Sequence, residues 1–133
     1  MLKIKSAAPA IPAQDIKRAR QFYEQKLGLK PGEEQSDGGV LYRFAEGSFL
    51  LFPSMGKASG DHTQMAFEVE DVTAAVADLK SNGVKLEEYD YPEFKTRDGV
   101  VDMPDGEKGA WFKDSEGNLI ALASRVPSAA RRS

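Results

Sequence analysis

Residues 63–84, TQMAFEVEDVTAAVADLKSNGV, change hydrophobic period half-way along. Met65, Phe67 and Val69 alternate with Gln64, Ala66 and Glu68, which is the two-residue period of a strand with two different faces. Beyond Asp71 the apolar residues move to Val72, Ala75, Val76 and Leu79, which is helical spacing. Asp71 suits the helix start because its carboxylate can accept from the free amides of a first turn. Asn82-Gly83 then supplies a left-handed stop. The stretch reads as a strand, a corner and an amphipathic helix.

The same unit occurs earlier in the chain. Ala8 to Gln14 is a small, mostly apolar extended run, Asp15 stands at the corner, and Ile16, Ala19, Phe22, Tyr23 and Leu27 follow at helical spacing before Gly28. Aligning Asp15 with Asp71 gives an offset of 71 − 15 = 56 residues. A second echo pairs LYRFAEGSFLLF (residues 41–52) with WFKDSEGNLIAL (residues 111–122), where Gly47 matches Gly117 at an offset of 117 − 47 = 70. The difference of 14 residues places an insertion in the second half, before its last hairpin. The chain is thus read as a duplicated β-α-β-β-β module, the first over about residues 6–54 and the second over about 61–125, with a tail at 126–133 that carries Arg131 and Arg132.

Composition bounds the function classes. With 133 residues there is room for one domain of ordinary size with a real core. A hydrophobic fraction of 41% beside 29% charged residues describes a globular chain and not a disordered one. The net charge of −3 and the scattered basic residues offer no phosphate-backbone surface, so nucleic acid is not an expected partner. The lack of Cys excludes disulfides, thiolate metal sites and cysteine nucleophiles. No run reaches the ~20 apolar residues of a membrane-spanning helix and residues 1–6 lack a signal peptide's apolar stretch, so the expectation is a cytoplasmic protein with no membrane partner.

Pro9 and Pro12 remove two ladder donors from the first strand, which should therefore lie at a sheet edge. Residues 30–35, 40–44 and 49–52 complete the first module, and residues 53–60, PSMGKASG, form a link. A sixth strand is expected over residues 84–89. The insertion, residues 90–108, is rich in Pro, Gly and Asp yet contains Tyr91, Phe94, Val100, Val101 and Met103. A loop of that length is either an apolar loop folded on the body of the protein or a lid over a pocket.

Three segments in order, RQFYEQKLGLK, AFEVEDVTAAVADLKSNGV and AWFKDSEGNLIALAS, resemble the glyoxalase, bleomycin-resistance and extradiol dioxygenase superfamily, also called vicinal oxygen chelate proteins. The resemblance covers Ala8 to Ser124. It implies an α+β fold in which two tandem β-α-β-β-β modules form curved mixed sheets around a cavity with the helices outside, in one domain that pairs into a homodimer. It also implies where metal-dependent members place ligands: seven residues before each helix-capping Asp, here Ala8 and Gln64, and on the last strand of each module, here Leu51 and Ala121. Only Gln64 has a donor oxygen among these, so no divalent metal cofactor is expected. His62, the single His, shares strand parity with Gln64 and Glu68. Alternate residues lie about 6.5 Å apart along a strand, so the three do not converge on one ion. The plainer reading of His62 is a solvated residue at a loop mouth.

If Ala121 faces the cavity, hairpin parity brings in Leu119, Ala123, Ala110 and Phe112, and the repeat brings in Val40, Tyr42, Phe49 and Leu51. Ala8, Ala10, Gln64, Ala66 and Glu68 join them. The expected ligand-binding set is Tyr42, Phe49, Leu51, Gln64, Glu68, Phe112 and Ala121, a mostly apolar lining with a few polar groups, as small-molecule sites are usually built. Trp111 takes the opposite parity and is expected beneath a helix. Two functions stay open. One is a metal-independent binding protein for a small, partly aromatic molecule. The other is an enzyme of the superfamily, a lyase, isomerase or dioxygenase, either metal-dependent through atypical ligands or metal-free with Glu68 or His62 as catalytic group.

Overall fold

A computed structural model describes residues 1–125, so the tail with Arg131 and Arg132 lies outside the described residues. The fold is α+β, with two mixed, open sheets and, among the described residues, two α-helices. The chain divides into two compact units at Ser59/Gly60, inside the expected link, and the turn Asp114–Asn118 belongs with the first unit.

In the first unit, β1 (Ala10–Ala13) leads into α1 (Ile16–Gln21), and β2 (Glu33–Glu34), β3 (Val40–Arg43) and β4 (Ser48–Pro53) follow. The sheet order is β1-β4-β3-β2, with β1 parallel to β4 and the other pairs antiparallel. The proline-bearing strand is at an edge, as its missing donors require. Asp15 caps α1 by accepting from the Arg18 amide at 3.0 Å. The helix then widens into a π-turn over Phe22–Lys26, where the Leu27 amide reaches back to the Phe22 carbonyl at 3.2 Å. Neighbouring Phe22 and Tyr23 are both buried in that wide turn. Ile11, Ala13, Val40, Tyr42, Phe49 and Leu51 form the core under it, and the Tyr23 ring lies 5.9 Å from Tyr42 and 5.3 Å from Phe49.

In the second unit, β5 (Thr63–Glu68), α2 (Val72–Ser81), β9 (Lys108–Lys113) and β10 (Leu119–Ala123) repeat the pattern. Asp71 caps α2 through the Ala74 amide at 3.0 Å, matching Asp15. The order β5-β10-β9-β8-β7-β6 extends the sheet to six strands. The extra strands are β6 (Asp90–Tyr91), β7 (Phe94–Arg97) and β8 (Val100–Asp102). Asp98-Gly99, both at positive φ (53° and 85°), turns β7 into β8, as two-residue hairpins with mirror-type turns demand. The buried row is Met65, Ala110, Phe112, Ile120 and Leu122, together with Val72, Val76 and Leu79 of α2 and Leu86.

Two expectations are corrected. Residues 84–89 form no continuous strand: only Leu86 bridges to Phe112, and β8 pairs lower down with Val101 opposite Gly109. The insertion is not an irregular loop but a pair of hairpins that leaves the third-strand position and returns to it. Alternating Phe94, Thr96 and the Val100–Val101 pair carry the strand signal, which the surrounding Pro, Gly and Asp concealed.

Candidate ligand-binding face

Each sheet has a face that packs against its own helix and a face that does not. Tyr42, Phe49 and Leu51 are 0%, 1% and 0% exposed, and the Tyr42 hydroxyl donates to Glu24 at 2.8 Å, so these three expected ligand contacts belong to the helix side of the first sheet. Phe112, also fully buried, bridges Leu86, and Leu86 lies with Val76 of α2 around Gly99, which puts Phe112 on the helix side of the second sheet. The same correction applies to Val40 and Ala110. Trp111 is corrected in the opposite sense: it pairs with Ala121 and not with the buried row.

The cause is a one-residue difference between the two turns. The first hairpin closes from the Phe44 amide to the Gly47 carbonyl, the second from the Asp114 amide to the Asn118 carbonyl. The inbound strands therefore keep the offset 114 − 44 = 70, whereas the outbound strands are offset by 118 − 47 = 71. The structural counterpart of Ala121 is Leu50, not Leu51, and a slip of one residue moves every side chain to the other face.

On the helix-free face of the second sheet, Trp111 sits beside Ala121 and Ala66, two small residues in register. Glu68, opposite Ala123, is exposed, and His62 is exposed just before β5. The Trp111 indole N–H donates to Thr63 Oγ1 at 3.1 Å. Its ring system lies 5.3 Å from Phe94 and 5.8 Å from Tyr89, and Tyr91 continues the cluster 6.3 Å from Tyr89. Gly109 lies beneath the indole edge, where a Cβ would stand in van der Waals contact, 3.4 Å, with both Trp111 and Val101. Trp111, Tyr89 and Phe94 are half-buried and Tyr91 is 60% exposed, so aromatic surface remains open. Burial pushes the Tyr89 phenol above its ordinary pKa. None of these four aromatic residues was in the expected site. The sequence signal is three aromatic residues within residues 89–94, and the register that joins them to Trp111 is not visible in the sequence.

Of the expected site residues, Gln64, Glu68 and Ala121 share the strands of this face, and Tyr42, Phe49, Leu51 and Phe112 do not reach it. Gln64 occupies a bulge: the register runs from Thr63 opposite Leu119 to Met65 opposite Ile120, so nothing lies opposite Gln64. Its Oε1 is buried without a hydrogen-bond partner.

The turn Asp114–Asn118 is polar, with Asp114 and Asn118 buried, and its contacts are structural. Tyr23 donates to Asp114 Oδ2 at 2.6 Å, Asn118 Nδ2 donates to the same oxygen at 2.8 Å and to the Pro12 carbonyl at 2.9 Å. Burial first, then the Asp114 carboxylate, push the Tyr23 phenol well above its ordinary pKa. Glu116 accepts from Arg18 at 2.7 Å and from the Asp15 amide at 3.0 Å. Burial alone would raise its pKa, but the hydrogen bonds from Arg18, the Asp15 amide and Ser115 outweigh that and hold it below the ordinary glutamate value.

A divalent ion does not fit the donors present. Ala8, Leu50 and Ala121 offer no ligating atom, Gln64 offers one amide, and among the described residues no three of His, Cys, Asp or Glu group to hold an ion. A separate groove of about 410 Å3, where Thr73, Val76 and Lys80 of α2 meet Arg97 and Val100, has rim charges that are partly satisfied: Lys80 Nζ donates to the Asp98 carbonyl at 3.0 Å and Lys108 pairs with Asp102. It lacks the aromatic surface of the Trp111 face. No described helix is long and apolar enough to cross a membrane.

Solved structures share this fold. The chain is similar to a bleomycin resistance determinant encoded on transposon Tn5, at 18% identity and TM-score 0.68 over 93% of this chain and 100% of that one. A bleomycin-binding protein complexed with bleomycin matches at 19% identity and TM-score 0.67, over 92% and 100%. Lactoylglutathione lyase from Agrobacterium tumefaciens matches at 15% identity and TM-score 0.66, over 92% and 94%. No curated protein matches the sequence. The duplicated β-α-β-β-β arrangement and a family match running over residues 4–122 agree that the chain belongs to the Glyoxalase/Bleomycin resistance protein/Dioxygenase superfamily.

Proposed function

We propose that this protein binds a small, partly aromatic molecule on the helix-free face of its six-stranded sheet, without a divalent ion. The observation that carries the reading is the cluster of Trp111, Tyr89, Phe94 and Tyr91, open on one side and anchored by the Trp111–Thr63 hydrogen bond. Aromatic side chains present large apolar surface at small entropic cost, and a flat ring gains further from offset or edge contacts. Ala66 and Ala121 leave space beside the indole where larger residues would fill it. Among the described residues no three of His, Cys, Asp or Glu group to hold an ion, which supports the metal-independent form. That a protein of this fold is known in complex with bleomycin is consistent with it. Pairing into a homodimer is part of the reading, because Leu41, Leu50 and Phe52 of the first sheet are only half-buried on its helix-free face and a second copy would cover such surface. Catalysis through Glu68 or His62 has less support, since both are exposed and, among the described residues, no group of three His, Cys, Asp or Glu forms around either.

Trp111 is the only Trp, so its indole N–H gives one resolvable resonance. A naphthalene-ring probe is expected to shift that resonance and raise Tm in the presence of a chelator, through linkage of binding to folding. Trp111→Ala should weaken the binding at least tenfold. Stabilisation by stoichiometric nickel, zinc or iron, or binding untouched by Trp111→Ala, would refute the reading.

A further inference from the structure

We infer that the ligand of this face carries an N–H or O–H donor beside its ring, and that Gln64 is the residue that selects for it. The inference rests on the binding reading above and adds the chemical class of the ligand. Gln64 is the extra residue of a β-bulge in β5, a device that re-aims a side chain away from ordinary strand alternation. It directly follows Thr63, whose hydroxyl anchors the Trp111 indole at 3.1 Å, so the amide and the open aromatic surface are set by adjacent residues. Two buried side-chain oxygens in the described residues lack a partner, Gln64 Oε1 and Asn118 Oδ1. Asn118 is pinned, because its Nδ2 donates to both the Pro12 carbonyl and Asp114. Its orphan oxygen belongs to a closed structural network. Gln64 is half-buried in an irregular stretch of an edge strand, and no donor holds its oxygen.

An amide oxygen removed from water and left unbonded destabilises the state that contains it. A ligand that draws the Gln64 amide toward the Trp111 face and donates to it relieves that penalty at the moment of binding. A ligand with the same ring but no donor leaves the penalty in place, and the difference between the two is selectivity. The unbonded amide oxygen accepts from a phenol, an anilide or a ring N–H, whereas an ionised carboxylate has no hydrogen to give it.

The test uses two probes of the same ring system, 2-naphthol and 2-methoxynaphthalene, titrated against the full chain while the Trp111 indole resonance is followed. The ether is the more apolar probe, so burial alone favours it. The expected result is the reverse: 2-naphthol binds at least fivefold tighter to the wild-type protein, and Gln64→Leu removes that preference by weakening 2-naphthol. Gln64→Met serves as a second variant, with Tm and the unliganded indole resonance reporting that each is folded. Equal binding of the two probes, or a preference for 2-naphthol that survives in both variants, overturns the inference while the aromatic site stands. If neither probe moves the indole resonance, the binding reading falls and the inference falls with it.

Discussion

The two units repeat one architecture but gather their aromatic clusters on different sides of the sheet relative to their own helices. In the first, Tyr23, Tyr42 and Phe49 lie between sheet and helix, 0%, 0% and 1% exposed, and the position equivalent to Trp111 is Leu41. In the second, the helix side is filled mostly by Val72, Val76, Leu79, Ile120 and Leu122, and Trp111, Tyr89, Phe94 and Tyr91 gather on the other side. The same aromatic chemistry is therefore core in one unit and accessible surface in the other. The insertion makes the difference: without the excursion through β6 and β7 there would be no Tyr91 or Phe94 to build a cluster around the indole.

The sharpest way to break this contrast is to truncate one aromatic residue in each unit. Phe49→Ala removes a fully buried ring and should cost about 3–5 kcal/mol in a denaturant titration. Tyr91→Ala, on the accessible side, should stay within about 0.5 kcal/mol. Comparable losses in the two variants would mean that the second cluster is core as well. A smaller effect tests the polar turn of the first unit. Glu116→Gln should cost about 1–2 kcal/mol at neutral pH, since charge-assisted hydrogen bonds from Arg18 and the Asp15 amide are weakened. Glu116 is held below its ordinary pKa, so this stabilisation is present above the unfolded value of about 4.3 and is lost as the pH falls through the folded one. The gap between wild type and variant should therefore close in acid; a gap that persists there would assign the loss to packing instead. The smallest effect concerns what the two units share. Asp71→Ala removes the helix cap of the second unit and should lower its stability by about 1 kcal/mol, with Asp15→Ala doing much the same in the first. A cap worth nothing in one unit would show that its helix is held by packing alone.

The helix caps, the alternation along residues 64–69 and the edge position of the proline strand were all legible in the sequence, because each follows from local chemistry: a short carboxylate at a corner, a two-residue period, a missing N–H. Which residues face which side was not legible, although the alternation itself was correct. Parity arguments carry no error until a turn gains a residue, and then they fail for every position at once. Asp114–Asn118 holds that extra residue, and the match of Gly47 to Gly117 between the two halves hid it.

The amino-acid order by itself determined the duplication, the α+β class and the two capped helices, since these depend on residue type and spacing along the chain. The tertiary structure alone decided that Trp111, and not Phe112, joins Ala121, that residues 90–102 are strands, and that Gln64 sits in a bulge with an unbonded oxygen. These depend on hydrogen-bond register between segments distant in sequence, and register is set by which closing bonds the turns make once the strands are packed.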